Sequence, residues 1–386
     1  MSAHPRLRIR YQLVIFSASR IVINTMYRMI YPFMAVFARG MGVEVGAVAS
    51  VVAARSALGL AAPAMGAPAD KYGRKAGMLL GLGIFVVGAG LVLASPRFTP
   101  FAVALMLATA GKIIFDPAMQ AYLGDTVGYN RRGQAIAATE LGWSLAFLLG
   151  VPVMGWLIEQ RGWTAPFPFL AVAGALAAFV LWRSIPSRPA GGSGSPSLSA
   201  SLRMVASHGP AVAALLVGFL LSSANETVNI VFGIWLEASF GLKVAALGAA
   251  AAAIGLAELA GEGMVAALAD RLGKQRSIAV GILLNCGACL LLPVLGVTLP
   301  GALAALFLFY FTFEFTLVSS IPLMTELVPG ARASAMSGNI ASLSAGRMVG
   351  AIAGAALFAL GLRANTGAAL VLNLVALGIL LRFVRD

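Results

Sequence analysis

Eleven ionisable side chains stand inside long apolar runs of this chain. Arg20, Arg28, Arg55, Lys112, Asp116 and Glu140 lie in the first half, and Glu226, Glu258, Glu262, Glu314 and Arg347 in the second. Charges in such surroundings are costly and are functional candidates by default. Three kinds of chemistry are open to them. Glu226, Glu258, Glu262 and Glu314 could carry a proton, because a carboxylate in a low-dielectric site can take one up. Arg20, Arg28, Arg55 and Lys112 could bind an anionic group on a small molecule, the arginines through a planar fork of donors. The third option is pairing across helices, Arg28 with Glu226 for example, as static or gating ion pairs.

Spacing groups these residues further. Arg20, Asn24 and Arg28 follow at i, i+4 and i+8 and share one helix face. Ser222, Asn225, Glu226 and Asn229 are compatible with one polar face. Glu258 and Glu262 are one turn apart. Lys112 and Asp116 are too, and read as an intrahelical pair. Glu140 and Arg347 are read as structural or functional alike.

The elements that position these residues follow from composition. The 386-residue chain is 60% hydrophobic and 11% charged, with mean hydropathy +0.92. Soluble domains carry about 25% charged residues. A disordered chain, a secreted disulfide scaffold and a soluble enzyme are thereby excluded, leaving a polytopic membrane protein. A spanning helix takes roughly 20 apolar residues. Twelve runs qualify, near 12–38, 46–69, 76–95, 99–123, 133–158, 164–185, 209–236, 244–268, 276–295, 299–327, 333–360 and 365–384. Residues Pro186 to Ser201, rich in Ser, Gly and Pro, read as a flexible linker. The expected domains are a six-helix bundle over 1–185, a cytoplasmic linker over 186–208 and a second six-helix bundle over 209–386. The basic Arg6, Arg8 and Arg10 precede an uncleaved first helix rather than a signal peptide.

The net charge of +13 belongs to the loops rather than to a nucleic-acid surface. With the termini and even-numbered connections assigned to the cytoplasm, seventeen basic residues fall on that side and five on the other. That bias places both termini inside. The two cysteines, Cys286 and Cys289, form one C-x-x-C inside an apolar run, and only His4 and His208 could join them. A zinc site needs about four ligands, so no metal and no cofactor is expected.

The halves repeat at an offset of 200. Ala69-Asp70-Lys71-Tyr72-Gly73-Arg74 falls on Ala269-Asp270-Arg271-Leu272-Gly273-Lys274, and Ala146 and Gly150 fall on Gly346 and Gly350. Such internal repeats mark transporters.

These residues resemble the major facilitator superfamily. Gly66 to Lys75 looks like that family's loop motif between helices 2 and 3, G-x-x-x-D-(R/K)-x-G-R-(R/K). A weaker copy runs from Ala266 to Lys274. The resemblance implies a conformational latch of Asp70, Gly73, Arg74 and Asp125, with Asp270 and Gly273 in the copy. Gly150-Val-Pro152-Val-Met-Gly155 resembles the helix-5 motif of the drug:proton antiporters. It departs from it in the displaced first Gly and in Trp156 for the last one. The Arg of those antiporters' helix-4 motif is replaced by Leu105. Gly142, Ala146 and Gly150, like Gly346, Gly350 and Gly354, put small residues at every fourth position, a close-packing face.

The resemblance implies an all-α fold of two pseudo-symmetric bundles, with helices 1, 4, 7 and 10 lining a central cavity. Arg20, Asn24, Arg28, Arg55, Lys112, Asn225, Glu226, Asn229 and Glu314 are then the substrate-binding candidates. Glu226, Glu258, Glu262 and Glu314 are the candidates for proton coupling. The expected function is proton-coupled efflux of a small amphipathic compound from a bacterial inner membrane by a monomer. The alternative is uptake or exchange of a small organic anion held by the buried arginines. No Walker motif or dinucleotide fingerprint is present, and no span holds a His or a catalytic constellation, so an enzyme is not expected.

Overall fold

The computed structural model describes residues 5–62, 72–186, 198–328 and 332–384. Ten of its helices are long and apolar enough to cross a membrane. The bent pair Ile9–Arg28 and Ile30–Met41 adds an eleventh span, and the shorter apolar helix Val45–Ala61 stands in the remaining place. In lipid every backbone polar group must be satisfied within the protein, which helices do by themselves. Large apolar side chains such as Val172, Leu176, Leu284, Leu290 and Val371 are exposed on the outside of the bundle, where hydrocarbon rather than water is their natural neighbour.

The spans are numbered 1 to 12 in chain order. Span 1 is Pro5–Arg28 and Ile30–Met41, span 2 Val45–Ala57 with a tight turn Leu58–Ala61, span 3 Arg74–Ala94 and span 4 Phe98–Thr126. Span 5 is Tyr129–Leu145, a wide π turn Ala146–Gly150 and Val151–Arg161, and span 6 is Pro166–Ser184. Span 7 is Gly209–Asn229 and Phe232–Phe240, span 8 Val244–Leu272, span 9 Lys274–Leu295 and span 10 Leu299–Leu327. Span 11 is Arg332–Leu357 with Phe358–Leu360, and span 12 is Leu362–Phe383. Both chain ends leave from one face of the bundle, here the terminal face; the opposite one is the far face.

Packing repeats between halves. Span 3 packs on spans 4 and 6, as span 9 does on spans 10 and 12; span 1 packs on spans 5 and 6, as span 7 does on 11 and 12. The small-residue faces make the close crossings. A Cβ on Gly142 would sit 2.8 Å from the Arg20 Cβ, and one on Gly350 2.6 Å from the Ser223 carbonyl oxygen. The halves meet where span 5 crosses span 8, where span 2 crosses span 11, and where the far-face parts of spans 1 and 7 touch.

Spans 1 and 7 are broken at equivalent depth, which periodicity alone did not reveal. In span 1 the cause is Pro32: it has no N–H, and its ring crowds the Arg28 carbonyl. The chain bends by 51° between the two helices. Span 7 breaks at Ile230 and Val231 without a proline, two residues before Gly233 crosses span 1. A Cβ on Gly233 would be 2.5 Å from the Tyr31 carbonyl oxygen and 2.6 Å from the Pro32 Cα.

One expectation is corrected. The segment read as linker is not irregular throughout, since Leu198–Ser207 is a helix. Its Val205 is buried in a small cluster with Ala211, Val328 and Ala335, an apolar anchor that the Ser- and Gly-rich composition hid. Residues 187–197 lie outside the described residues.

Candidate functional site

The face of span 1 carrying Arg20, Asn24 and Arg28 lies along span 5. Arg20 donates to the Thr139 carbonyl at 2.9 Å, Asn24 to that of Gly142 at 3.1 Å, and Arg28 to that of Trp143 at 3.0 Å. Three polar side chains thus read one row of backbone acceptors just ahead of the π turn.

Beyond those carbonyls the three diverge. Arg20 is 2.7 Å from Glu140 and 3.2 Å from Asp116. Lys112 pairs with Asp116 at 2.6 Å, as its spacing predicted, and also donates to Asn24 Oδ1 at 2.7 Å. Gln120 donates to Glu140 at 3.2 Å. This network closes inside the first half, two cations against two carboxylates.

Arg28 does not face Glu226. It makes a bidentate pair with Glu258 on span 8, at 2.5 and 2.6 Å, across the two halves. Its guanidinium lies 3.5 Å over the Phe147 ring and 4.2 Å over Trp143. The expected partner is turned elsewhere: the Glu226 Cβ abuts Gly350 of span 11. One turn on from Glu258, Glu262 accepts from Ser144 of span 5 at 2.8 Å.

A second cluster sits where spans 1, 2, 7 and 11 converge. Arg55 of span 2 is 0% exposed, and its guanidinium lies 4.0 Å over Tyr27 and 5.4 Å over Tyr31. None of its three nitrogens has a hydrogen-bond partner. Glu226 is 1% exposed; its Oε2 accepts from Asn229 at 3.1 Å and its Oε1 has no partner. Asn229 in turn accepts from the Tyr310 hydroxyl at 2.6 Å. Asn225 is buried with its Nδ2 unpartnered. Glu226 stands in the field of Arg347 and Arg55, and buried Glu314 of span 10 in the fields of Glu258, Glu262, Arg28 and Arg347.

Trp143, one of the aromatics that the sequence offers as cavity lining, gathers cations from three spans, with Arg28 at 4.2 Å, Lys112 at 5.4 Å and Arg347 at 5.5 Å from its ring. Other polar contacts were missed from sequence. On the far face Arg39 pairs with Glu237 at 2.5 Å, and the Ala245 N–H that opens span 8 donates to Glu159 at 3.0 Å. The repeat held the signal for the first: Arg39 and Glu237 lie near the far-face ends of spans 1 and 7 at nearly the same offset. Asn285, Thr312 and Asn373 join spans 9, 10 and 12 in a buried chain that reaches Cys289.

On the terminal face the two loop motifs have matching geometry. Gly73 and Gly273 both have positive φ, 94° and 82°, which L side chains avoid. Arg74 lies 3.3 Å from Asp125. At the equivalent place Lys274 pairs with Glu326. Lys75 reaches the Trp182 carbonyl at the end of span 6, and Gln275 the Leu380 and Val384 carbonyls at the end of span 12. Asp70 lies outside the described residues, as does the side chain of Asp270.

Comparison with known proteins agrees with this architecture. The profile of the family described as Major Facilitator Superfamily matches residues 16–313 and, in a second overlapping stretch, 214–386. The uncharacterized MFS-type transporter YceJ of Bacillus subtilis is 26% identical over 282 residues, 73% of this chain and 72% of the relative. The inner membrane transport protein YdhP of Escherichia coli is 24% identical over 48% of each chain. Among solved structures, the human organic anion transporter MFSD10 superposes with a TM-score of 0.74 at 20% identity, covering 98% of this chain and 100% of the other. A bacterial homolog of the human lysosomal transporter Spinster, in an inward-facing and unoccupied conformation, gives 0.78 at 15% identity, with 97% and 96% covered. At these identities the likeness is one of fold.

Proposed function

The chain belongs to the major facilitator superfamily, and on that premise we propose that it is a proton-coupled exporter of a small amphipathic compound. Membrane transport by alternating access comes with the family; the proton and the direction are our reading. One observation carries it. Among the described residues, Arg28 neutralises Glu258, and Arg20 and Lys112 neutralise Asp116 and Glu140. Among the described residues, Glu226, Glu262 and Glu314 have no cation within salt-bridge distance. Interior carboxylates without a counter-ion are the groups that hand protons across a membrane. Glu262 and Glu314 stand in each other's field on spans 8 and 10, and we assign the coupling proton to them. Glu226 belongs instead with Arg55 on the substrate path.

In the same reading both termini face the cytoplasm of a bacterium, the protein works as a monomer, and residues 1–185 and 209–386 move as two bodies joined by the 186–208 segment. The Gly73 and Gly273 turns, with Arg74–Asp125 and Lys274–Glu326, form the terminal-face latch, with Asp70 and Asp270 as its remaining members.

The test is flux in proteoliposomes under an imposed pH gradient. Glu262→Gln and Glu314→Gln should each reduce gradient-driven flux at least ten-fold while leaving counterflow of labelled against unlabelled substrate intact. Wild-type flux indifferent to the gradient would sink the proton. A second reading, transport of an organic anion, is favoured by the free guanidinium of Arg55.

A further inference from the structure

The buried polar atoms left without partners identify a chemistry that the charge count alone does not. Among the described residues nine such side-chain atoms occur. Two of them, Arg20 Nε and Asp116 Oδ1, lie 3.2 Å apart and serve each other electrostatically. The remaining charged atoms are the three nitrogens of Arg55 and Oε1 of Glu226. A buried charge without a partner is among the costliest arrangements a protein can hold. Here atoms of opposite charge are left so at one junction, each in a different half, although Glu226 keeps Asn229 and Tyr31 as hydrogen-bond partners and Arg55 lies over the Tyr27 ring. They are not within ion-pair distance. Tyr31 lies between their influences, in the field of Glu226, Tyr27, Arg55 and Arg347.

We propose that Arg55 and Glu226 form the two poles of a binding subsite for a zwitterionic head group, a carboxylate beside an ammonium, on a small molecule with an apolar body. The fork of Arg55 matches a carboxylate in two-point fashion. Glu226 Oε1 offers an acceptor to the ammonium, while its Oε2 is already held by Asn229. The rings of Tyr27 and Tyr31 flank Arg55 and supply the apolar wall. Arg347 also stands in the field of Glu226, and of Glu314 beyond it, and lies 5.5 Å from the Trp143 ring. A lone anion would answer Arg55 and leave Glu226 Oε1 unmet, whereas a zwitterion answers both poles. Arg55 and Tyr31 come from the first half and Glu226 from the second, so the ligand bridges the halves. With both poles shut from solvent here, it enters only when they part.

This inference rests on the transporter reading for the path between halves. A binding measurement needs neither flux nor a pH gradient, so it fails or succeeds apart from the coupling proposal. The full chain in nanodiscs is titrated calorimetrically with three probes of one shape: phenylalanine, 3-phenylpropanoate and phenethylamine. Phenylalanine should bind at least ten-fold more tightly than either single-charge probe. Arg55→Gln should lose at least ten-fold for phenylalanine and nothing for phenethylamine. Glu226→Gln should bring 3-phenylpropanoate level with phenylalanine. Arg55→Lys, which keeps the charge without the fork, should fall between. Equal affinities for the three probes, no measurable binding of any, or phenylalanine affinity indifferent to Arg55→Gln would each overturn the proposal. If Arg55→Gln elutes aggregated, the wild-type ranking and the Glu226→Gln change decide it.

Discussion

Arg28 and Glu258 are worth following first, because they tie the halves together at a point sealed from water. The pair is bidentate, capped by the Trp143 carbonyl and sandwiched by aromatic rings. A buried ion pair gains little over an apolar pair of equal volume, but removing one partner strands a charge, at about 3–5 kcal/mol. Arg28→Met alone should therefore lower thermal stability by that amount, and Arg28→Met with Glu258→Leu should regain most of it. Equal losses in the single and double variants, measured by unfolding in detergent, would contradict this. That these residues matter was legible in the sequence, since charges in apolar runs declare themselves. Their partners were not. Helical spacing fixes which residues share a face but not which helix that face meets, so Arg28 was set against Glu226 rather than Glu258. Arg55 is legible as a cation, and its lack of a hydrogen-bond partner only in three dimensions.

At the scale of elements, the crossing of spans 1 and 7 sets backbone against backbone between the halves. Gly233 lies against Tyr31 and Pro32 with no room for a methyl group. The contact exists only while the far-face ends are together. Gly233→Val should then favour the opposite conformation, seen as a longer spin-label distance between the ends of the two spans. An unchanged distance distribution would show that the crossing does not govern closure. Helix count and the central segment were readable because a membrane forces long apolar runs. The breaks were not, because Pro32 sits in the middle of an otherwise continuous run and span 7 breaks with no proline at all. The helix over Leu198–Ser207 was hidden by its Ser-rich surroundings.

For the whole molecule, the distribution of cross-half contacts matters more than any one of them. Far-face closure combines the Arg39–Glu237 pair, the Glu159 carboxylate at the start of span 8 and the glycine crossing. Arg39 is largely exposed, so its pair alone contributes about 0–1 kcal/mol. Arg39→Glu should shift the balance toward the far-face-open form modestly and in a salt-dependent way, while Arg39→Glu with Glu237→Arg restores it. Accessibility of a single cysteine beneath the pair to a membrane-impermeant reagent would report it. Topology is tested separately. Fluorescent fusions that mature only in the cytoplasm should glow at both ends of the chain; darkness at either end would reverse the assigned orientation.

The interior charges also set the two halves apart. The six in the first half sum to +2, and the five in the second to −3. A pair of identical first halves facing each other would bury only excess positive charge, and a pair of second halves only excess negative. Neither could form the Arg28–Glu258 link, nor pair Arg39 with Glu237. The two halves are therefore complementary in charge rather than interchangeable. A synthetic tandem of two first halves should accordingly fail to assemble, however well its twelve helices insert.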